Sequence, residues 1–125
     1  MMGMGMRVLA AAGVTMISLS AAAQDAQRGK ALFQQCVACH SFDPARNEAG
    51  PHLKGLFGRK AASVGDFVYS PPMRRADFVW TPELLDKFLA EPQQPPFRGN
   101  RMPFAGMPDA KARADLIAYL KEASQ

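Results

Sequence analysis

Strand-like alternation, internal repeats and disordered tracts are missing from this chain of 125 residues. Their absence argues against a β-sandwich, a solenoid or an unfolded tail, and leaves helical periodicity as the organising signal. An excess of one charge is missing too: 15 Lys and Arg stand against 11 Asp and Glu, a formal net charge of +4 with no cationic cluster. Nucleic-acid binding therefore has no electrostatic footprint. No apolar run reaches the roughly 20 residues that a transmembrane helix needs. Cysteine and histidine number only two each, so a structural zinc site with its four N or S ligands would have to use all of them. No βαβ pattern is present to frame a thioredoxin-like dithiol.

The apolar stretch at 8–19 follows Arg7 and precedes Ala21-Ala22-Ala23 and polar Gln24-Asp25. A positive residue, a short apolar core and an A-x-A site are the parts of a secretory signal peptide. Residues 1–23 are expected to be such a signal, cleaved after Ala23, with an uncleaved anchor as the alternative. Met1, Met2, Met4 and Met6 all offer starts. Residues 24–125 then form one domain with a net charge of +3, since Arg7 is the only charged residue removed from the +4 of the whole chain. A domain of about 100 residues buries only roughly 60 to 65% of its unfolded surface. A large apolar group at its centre would supply core that the residues lack.

Cys36-Val37-Ala38-Cys39-His40 points to what that group is. Two thiols two residues apart, followed at once by an imidazole, form the pattern of covalent c-type haem attachment: each sulfur adds to a vinyl group and the histidine meets the iron as axial ligand. The spacing lets the chain turn helically, so that both sulfurs reach one edge of the ring while His40 projects beneath it. A dithiol redox motif, half of a zinc site and a structural disulfide are the competing readings, with His52 the remaining candidate for a fourth zinc ligand.

Around this motif the chain reads as helices joined by long loops. Residues 25–35 lack proline, place Gly29, Leu32 and Phe33 on one face, and start at Asp25, a suitable N-cap. Residues 41–59 are rich in Pro, Gly and Asn and read as a long loop ordered by something other than its own backbone. Thr81-Pro82-Glu83 is a helix start, with Leu84, Leu85, Phe88 and Leu89 as the apolar face and an end near Pro92. Pro92, Pro95 and Pro96 predict a stiff, extended strap. A last helix is expected over 109–123, with Ala112, Leu116, Leu120 and Ala123 on one stripe, widened by Ile117.

With C-V-A-C-H near the start of the domain, and G-P-H-L-K-G-L-F-G-R-K, W-T-P-E-L-L, R-M-P-F-A-G-M and R-A-D-L-I-A-Y-L-K following in order, the chain resembles the class I cytochromes c, in particular the mitochondrial type and its small soluble bacterial relatives. The resemblance covers residues 25–123. It implies an all-α, cytochrome c-like fold: N- and C-terminal helices crossing, one shorter central helix, and long loops wrapped around a single covalent haem c held through Cys36 and Cys39. His40 matches the proximal ligand and Met102 the thioether ligand opposite. The carbonyl of Pro51 matches the acceptor for the second ring nitrogen of His40, and Arg59, Tyr69 and Trp80 match the propionate partners. Asn100, where threonine is usual, completes the cofactor set. Gly29 matches the small residue at the helix crossing, packed by Leu116 and Tyr119. The residues lend Met102 separate support, because only three methionines follow Gln24 and Pro103 biases Met102 toward extended backbone. Met107, also followed by proline, and His52 stay open as alternatives.

Two further departures from the family pattern stand out: Phe88 where a tyrosine hydroxyl commonly approaches the methionine sulfur, and a thinned ring of lysines, with Arg74, Arg75, Arg98 and Arg101 remaining. A haem with both axial positions filled leaves electron transfer at the ring edge as the expected activity. The resemblance implies a monomeric, periplasmic electron carrier and not an enzyme, with no stable membrane insertion after cleavage. Its partners would be redox proteins: a quinol-oxidising membrane cytochrome complex or periplasmic dehydrogenase as donor, and a terminal oxidase or photosynthetic reaction centre as acceptor. A dedicated cytochrome subunit of a dehydrogenase, docking through a Pro95-Pro96-Phe97 surface, is the alternative; a peroxidase-like or gas-binding haem protein is a third. An encounter surface centred on Phe97 and Phe104 is expected for the free carrier.

Overall fold

The computed structural model describes residues 1, 3, 5–15 and 24–125. The cleavage site expected at Ala23 lies outside them, as does part of the expected signal peptide. Residues 5–15 carry no regular structure, and no helix among the described residues is long and apolar enough to cross a membrane.

Helix α1 (Ala26–Leu32) begins where the Asp25 carboxylate accepts the Arg28 N–H at 3.0 Å, filling one of the donor positions that a helix start leaves open. The backbone then tightens into a 3-10 turn, Phe33–Gln35. From there the N–H groups of Cys39 and His40 both turn back to the Cys36 carbonyl, at 3.2 and 3.0 Å. The long C-terminal helix, α4 (Ala110–Ala123), is capped by Asp109, which accepts from Lys111 and Ala112. It crosses α1 at Gly29, against the backbone of Asp115 and the Cβ of Tyr119. The close neighbour is thus Asp115 and not Leu116, whose side chain faces the core at 1% exposure.

Thr81 and Pro82 open α3 (Pro82–Ala90) as the sequence predicts, the Thr81 hydroxyl accepting from Leu84 N–H at 3.1 Å. Leu85, Phe88 and Leu89 are its buried face. A fourth helix has no counterpart in the sequence reading: α2 (Pro71–Arg75) is a single proline-led turn that buries Met73. There are accordingly two short helices between α1 and α4, not one. Residues 41–59 hold no helix or strand and are tied instead to the motif and the C-terminus, through Gly50 N–H to Cys39 O and Gly55 N–H to Ser124 O.

The segment after α3 departs from expectation. It is not an extended strap: successive turns link Glu91 to Gln94, Gln94 to Phe97 and Phe97 to Asn100, and residues 101–109 follow without helix or strand. These turns drive Phe97 inward. It is 1% exposed, stacked on Trp80 with ring centroids 5.8 Å apart and edge-on to Phe88 at 5.2 Å. Burying an aromatic ring of this size is worth far more than presenting it to water, so Phe97 belongs to the core and cannot be a docking residue.

Candidate functional site

Between α3, α4 and the loops lies a cavity of about 750 Å³, within the roughly 300 to 1,000 Å³ of small-molecule and cofactor sites. Its wall brings together Cys36, Cys39, His40, Pro51, Arg59, Tyr69, Trp80, Asn100 and Met102, with Leu85, Phe88 and Leu116 among its apolar lining. His52 and Met107 are not in this wall. Met107 is buried in the core, 8% exposed.

The imidazole of His40 is oriented from behind. Its Nδ1 lies 2.8 Å from the carbonyl oxygen of Pro51, and a carbonyl can only accept, so Nδ1 carries the proton and Nε2 keeps its lone pair. Burial holds the His40 pKa below its ordinary value, with nearby Arg59 acting in the same sense and the Pro51 bond opposing. The neutral ring is the form that can ligate a metal. Gly50 makes room for it: a Cβ there would stand 2.5 Å from His40 Cε1. Cys36 and Cys39 form no disulfide, and the Cys36 thiol is pushed up by burial and then by its neighbour Cys39.

On another part of the wall, polar groups await an anion. Arg59 bonds to two carbonyls, His52 O at 2.9 Å and Lys54 O at 3.2 Å, both through Nη1. No carboxylate pairs with it among the described residues, and burial holds its pKa below the usual guanidinium value. Tyr69 accepts the Val64 N–H at 3.2 Å, which leaves its own O–H to donate. Ser70, also in the wall, has a buried hydroxyl with no partner. A half-desolvated cation and unmatched hydroxyl donors in one apolar cavity fit a bound carboxylate, because each is costly unless met. Sequence reasoning missed Ser70, since a serine before two prolines carries no motif; only its orphaned hydroxyl marks it.

Met102 stands half-buried in the wall, on the irregular segment before α4. Phe88, also in the wall, has no hydroxyl to offer a sulfur. Asn100 lines the cavity but does not serve it: both amide protons are taken by the strap, Pro92 O at 2.7 Å and Phe97 O at 2.9 Å, while its Oδ1 accepts the Met102 N–H at 3.0 Å. It keeps no donor for an anion. Met73, buried on α2, is a second thioether in the wall, to which the sequence assigned no role.

Two free thiols, a neutral imidazole with its lone pair exposed, a thioether and an anion site in one apolar cavity suit a tetrapyrrole with two carboxylates. The comparisons with known proteins agree. The family model for cytochrome c matches residues 26–124. Cytochrome c2 of Blastochloris viridis is 42% identical over 103 residues, covering 82% of this chain and 80% of that protein. Cytochrome c of Euglena viridis is 42% identical over 98 residues, 78% of this chain and 95% of that protein. Among solved structures, cytochrome cH from Methylobacterium extorquens has a TM-score of 0.72 at 36% identity, covering 78% of this chain and 98% of that one.

Proposed function

The chain belongs to the cytochrome c family, and from that premise we propose that it is an exported, periplasmic electron carrier in which His40 and Met102 are the axial ligands of its haem. The family carries one haem c, held covalently here through Cys36 and Cys39, and its members transfer electrons and are not enzymes. Bound haem supplies one-electron iron chemistry. The observation that carries the ligand reading is that His40 is fixed with Nε2 free by the Pro51 carbonyl while Met102, unlike Met107, lies in the wall of the same cavity.

The protein's own residues then have separable tasks. Pro51 and Gly50 hold the His40 ring; Arg59, Tyr69, Ser70 and Trp80 meet the propionates; Phe88 and Leu85 keep water from the thioether, and the apolar wall favours the ferrous form, whose iron–porphyrin unit carries no net charge apart from the propionates. Export is supported by the signal-like residues 1–23, which would deliver the two thiols to the compartment where such proteins mature. Donor and acceptor are proposed as a quinol-oxidising membrane complex or periplasmic dehydrogenase and a terminal oxidase or reaction centre. Of the Pro95-Pro96-Phe97 surface that the dehydrogenase-subunit alternative would use, Phe97 is buried while Pro95 and Pro96 stay exposed.

The test is optical. Ferric protein should show the weak far-red charge-transfer band of thioether-ligated haem. Met102→Ala should abolish it and open the iron to carbon monoxide or cyanide, whereas Met107→Ala should leave it. The reverse pattern would transfer the ligand role to Met107. Mass analysis of protein recovered from the periplasm should give a chain beginning at Gln24.

A further inference from the structure

Asn100 is placed as no other residue near Met102 is. Its Oδ1 accepts the N–H of Met102, two residues on, at 3.0 Å, which is the Asx turn that asparagine side chains favour. Beyond Met102, Pro103 restricts the preceding backbone, and the Phe104 N–H returns to the Met102 carbonyl at 2.8 Å. Met102 is therefore locked from both sides. The lock is anchored in turn, because Asn100 Nδ2 donates to Pro92 O and Phe97 O, and the ring of Phe97 is in the core at 1% exposure.

We propose that Asn100 is a positioning residue that sets how firmly Met102 is retained as ligand, acting through the Met102 backbone and not through the cofactor. The proposal rests on Met102 being the sixth ligand. An asparagine can do this and a threonine cannot in full: one hydroxyl has a single donor, whereas the carboxamide brings two donors for the strap and an acceptor for Met102 together. Displacing the Met102 sulfur from an open loop requires only side-chain rotation; here larger excursions of the residue must also break the Asx turn. A single hydrogen bond of this kind is worth about a factor of ten in such an opening equilibrium.

Gln93 supplies the control. Its side chain clamps the same stretch of backbone, Nε2 donating to Asn100 O at 3.2 Å and Oε1 accepting from Gly99 N–H at 3.0 Å, yet it makes no bond to Met102. The experiment measures carbon monoxide association with ferrous holoprotein, alongside the ferric far-red band and the melting temperature. Asn100→Ala should raise the association rate about tenfold while keeping the band at neutral pH. Asn100→Ser, which restores an acceptor for Met102 N–H but not both strap donors, should bring the rate most of the way back. Gln93→Ala should lower the melting temperature with the rate unchanged. If the Ala variant does not accumulate, the Ser and Gln93 variants decide: a Ser rate near wild type beside a lowered melting temperature supports the proposal. Wild-type rates in Asn100→Ala, a rate as fast in Ser as in Ala, or an equal acceleration in Gln93→Ala would overturn it. Failure of the ligand reading is distinguishable, since Met102→Ala would then keep the band.

Discussion

A Cβ built on Gly29 would stand 2.0 Å from the main-chain oxygen of Asp115. Helices α1 and α4 thus meet backbone to backbone, and the close approach brings Phe33 from the α1 side against Tyr119 of α4, the rings tilted with centroids 5.5 Å apart. Neither the Asp115 carbonyl nor the Tyr119 Cβ, 2.8 Å away, can move aside without separating the helices. Gly29→Ala should therefore cost about 3 kcal/mol, at the upper end of ordinary overpacking, despite alanine's better helix propensity. In a domain of this size that is a fall of roughly 12 to 24 °C in Tm, measured by thermal melting of the holoprotein. A change within 2 to 3 °C would mean that the crossing is looser than the geometry requires.

The side chain of Asp115 closes the same crossing. It is fully buried and accepts from Lys111 Nζ at 2.6 Å, from the Asp25 N–H at 2.8 Å and from Arg28 Nη1 at 3.1 Å. The Lys111 bond first, then the Asp25 N–H, hold its pKa below the ordinary carboxylate value, overcoming burial. A depressed folded-state pKa means that this carboxylate stabilises the fold above its unfolded pKa, near 3.9, and that the contribution disappears as pH falls through the folded value. Asp115→Asn should lower stability at pH 7 and flatten the loss of stability below pH 4. Denaturant midpoints from pH 7 to pH 2 test this; parallel curves for the two proteins would assign the acid sensitivity elsewhere.

The two residues also show where sequence reading stops. The caps at Asp25, Thr81 and Asp109 act within three residues, so local pattern sufficed for α1, α3 and α4. Asp115 reads as an ordinary solvent-facing acid in an amphipathic helix, and only α1, folded across it, makes it a buried anion. Helix α2 escaped because one turn led by Pro71 and Pro72 has too little periodicity to register, and Gly99, which packs on Pro72, is remote in sequence. Phe97 was legible as apolar but not as inward, since its direction depends on turns between Glu91 and Asn100. At the site, C-V-A-C-H announced itself through its spacing, whereas Ser70 and the two-sided lock on Met102 exist only once the chain is folded.

Filling the cavity is a condition of stability. The cavity of about 750 Å³ stands where a domain of this size would have much of its core, and left to water it forfeits apolar burial that a margin of roughly 5 to 15 kcal/mol cannot spare. The double variant Cys36→Ala, Cys39→Ala, which cannot retain the cofactor covalently, should show no cooperative melting transition after haem extraction. Wild-type protein should keep its colour through acid-acetone treatment and denaturing electrophoresis. A sharp calorimetric peak from the haem-free variant would refute the premise that the cofactor completes the core.

Of the two residues expected to centre an encounter surface, Phe97 is buried and Phe104 stays partly exposed, so charge near the cavity carries more of the recognition of a partner. Iron, porphyrin and two propionates add about −2 in the ferrous and −1 in the ferric state, so a domain with a formal +3 after signal removal nets only about +1 or +2. Long-range attraction is then weak, and placement decides. Arg101 is exposed, lies in the cavity wall one residue before Met102, and has no carboxylate partner among the described residues. Lys121 is equally exposed but sits on α4 beside Gly55 and Phe57, outside that wall. Reversing a charge within one Debye length of the contact alters the encounter rate far more than reversing one beyond it. Arg101→Glu should therefore slow bimolecular electron transfer to an acidic partner several-fold at low salt, and Lys121→Glu should change it little. The gap should close as ionic strength rises; equal slowing by the two substitutions would move the docking face away from Met102.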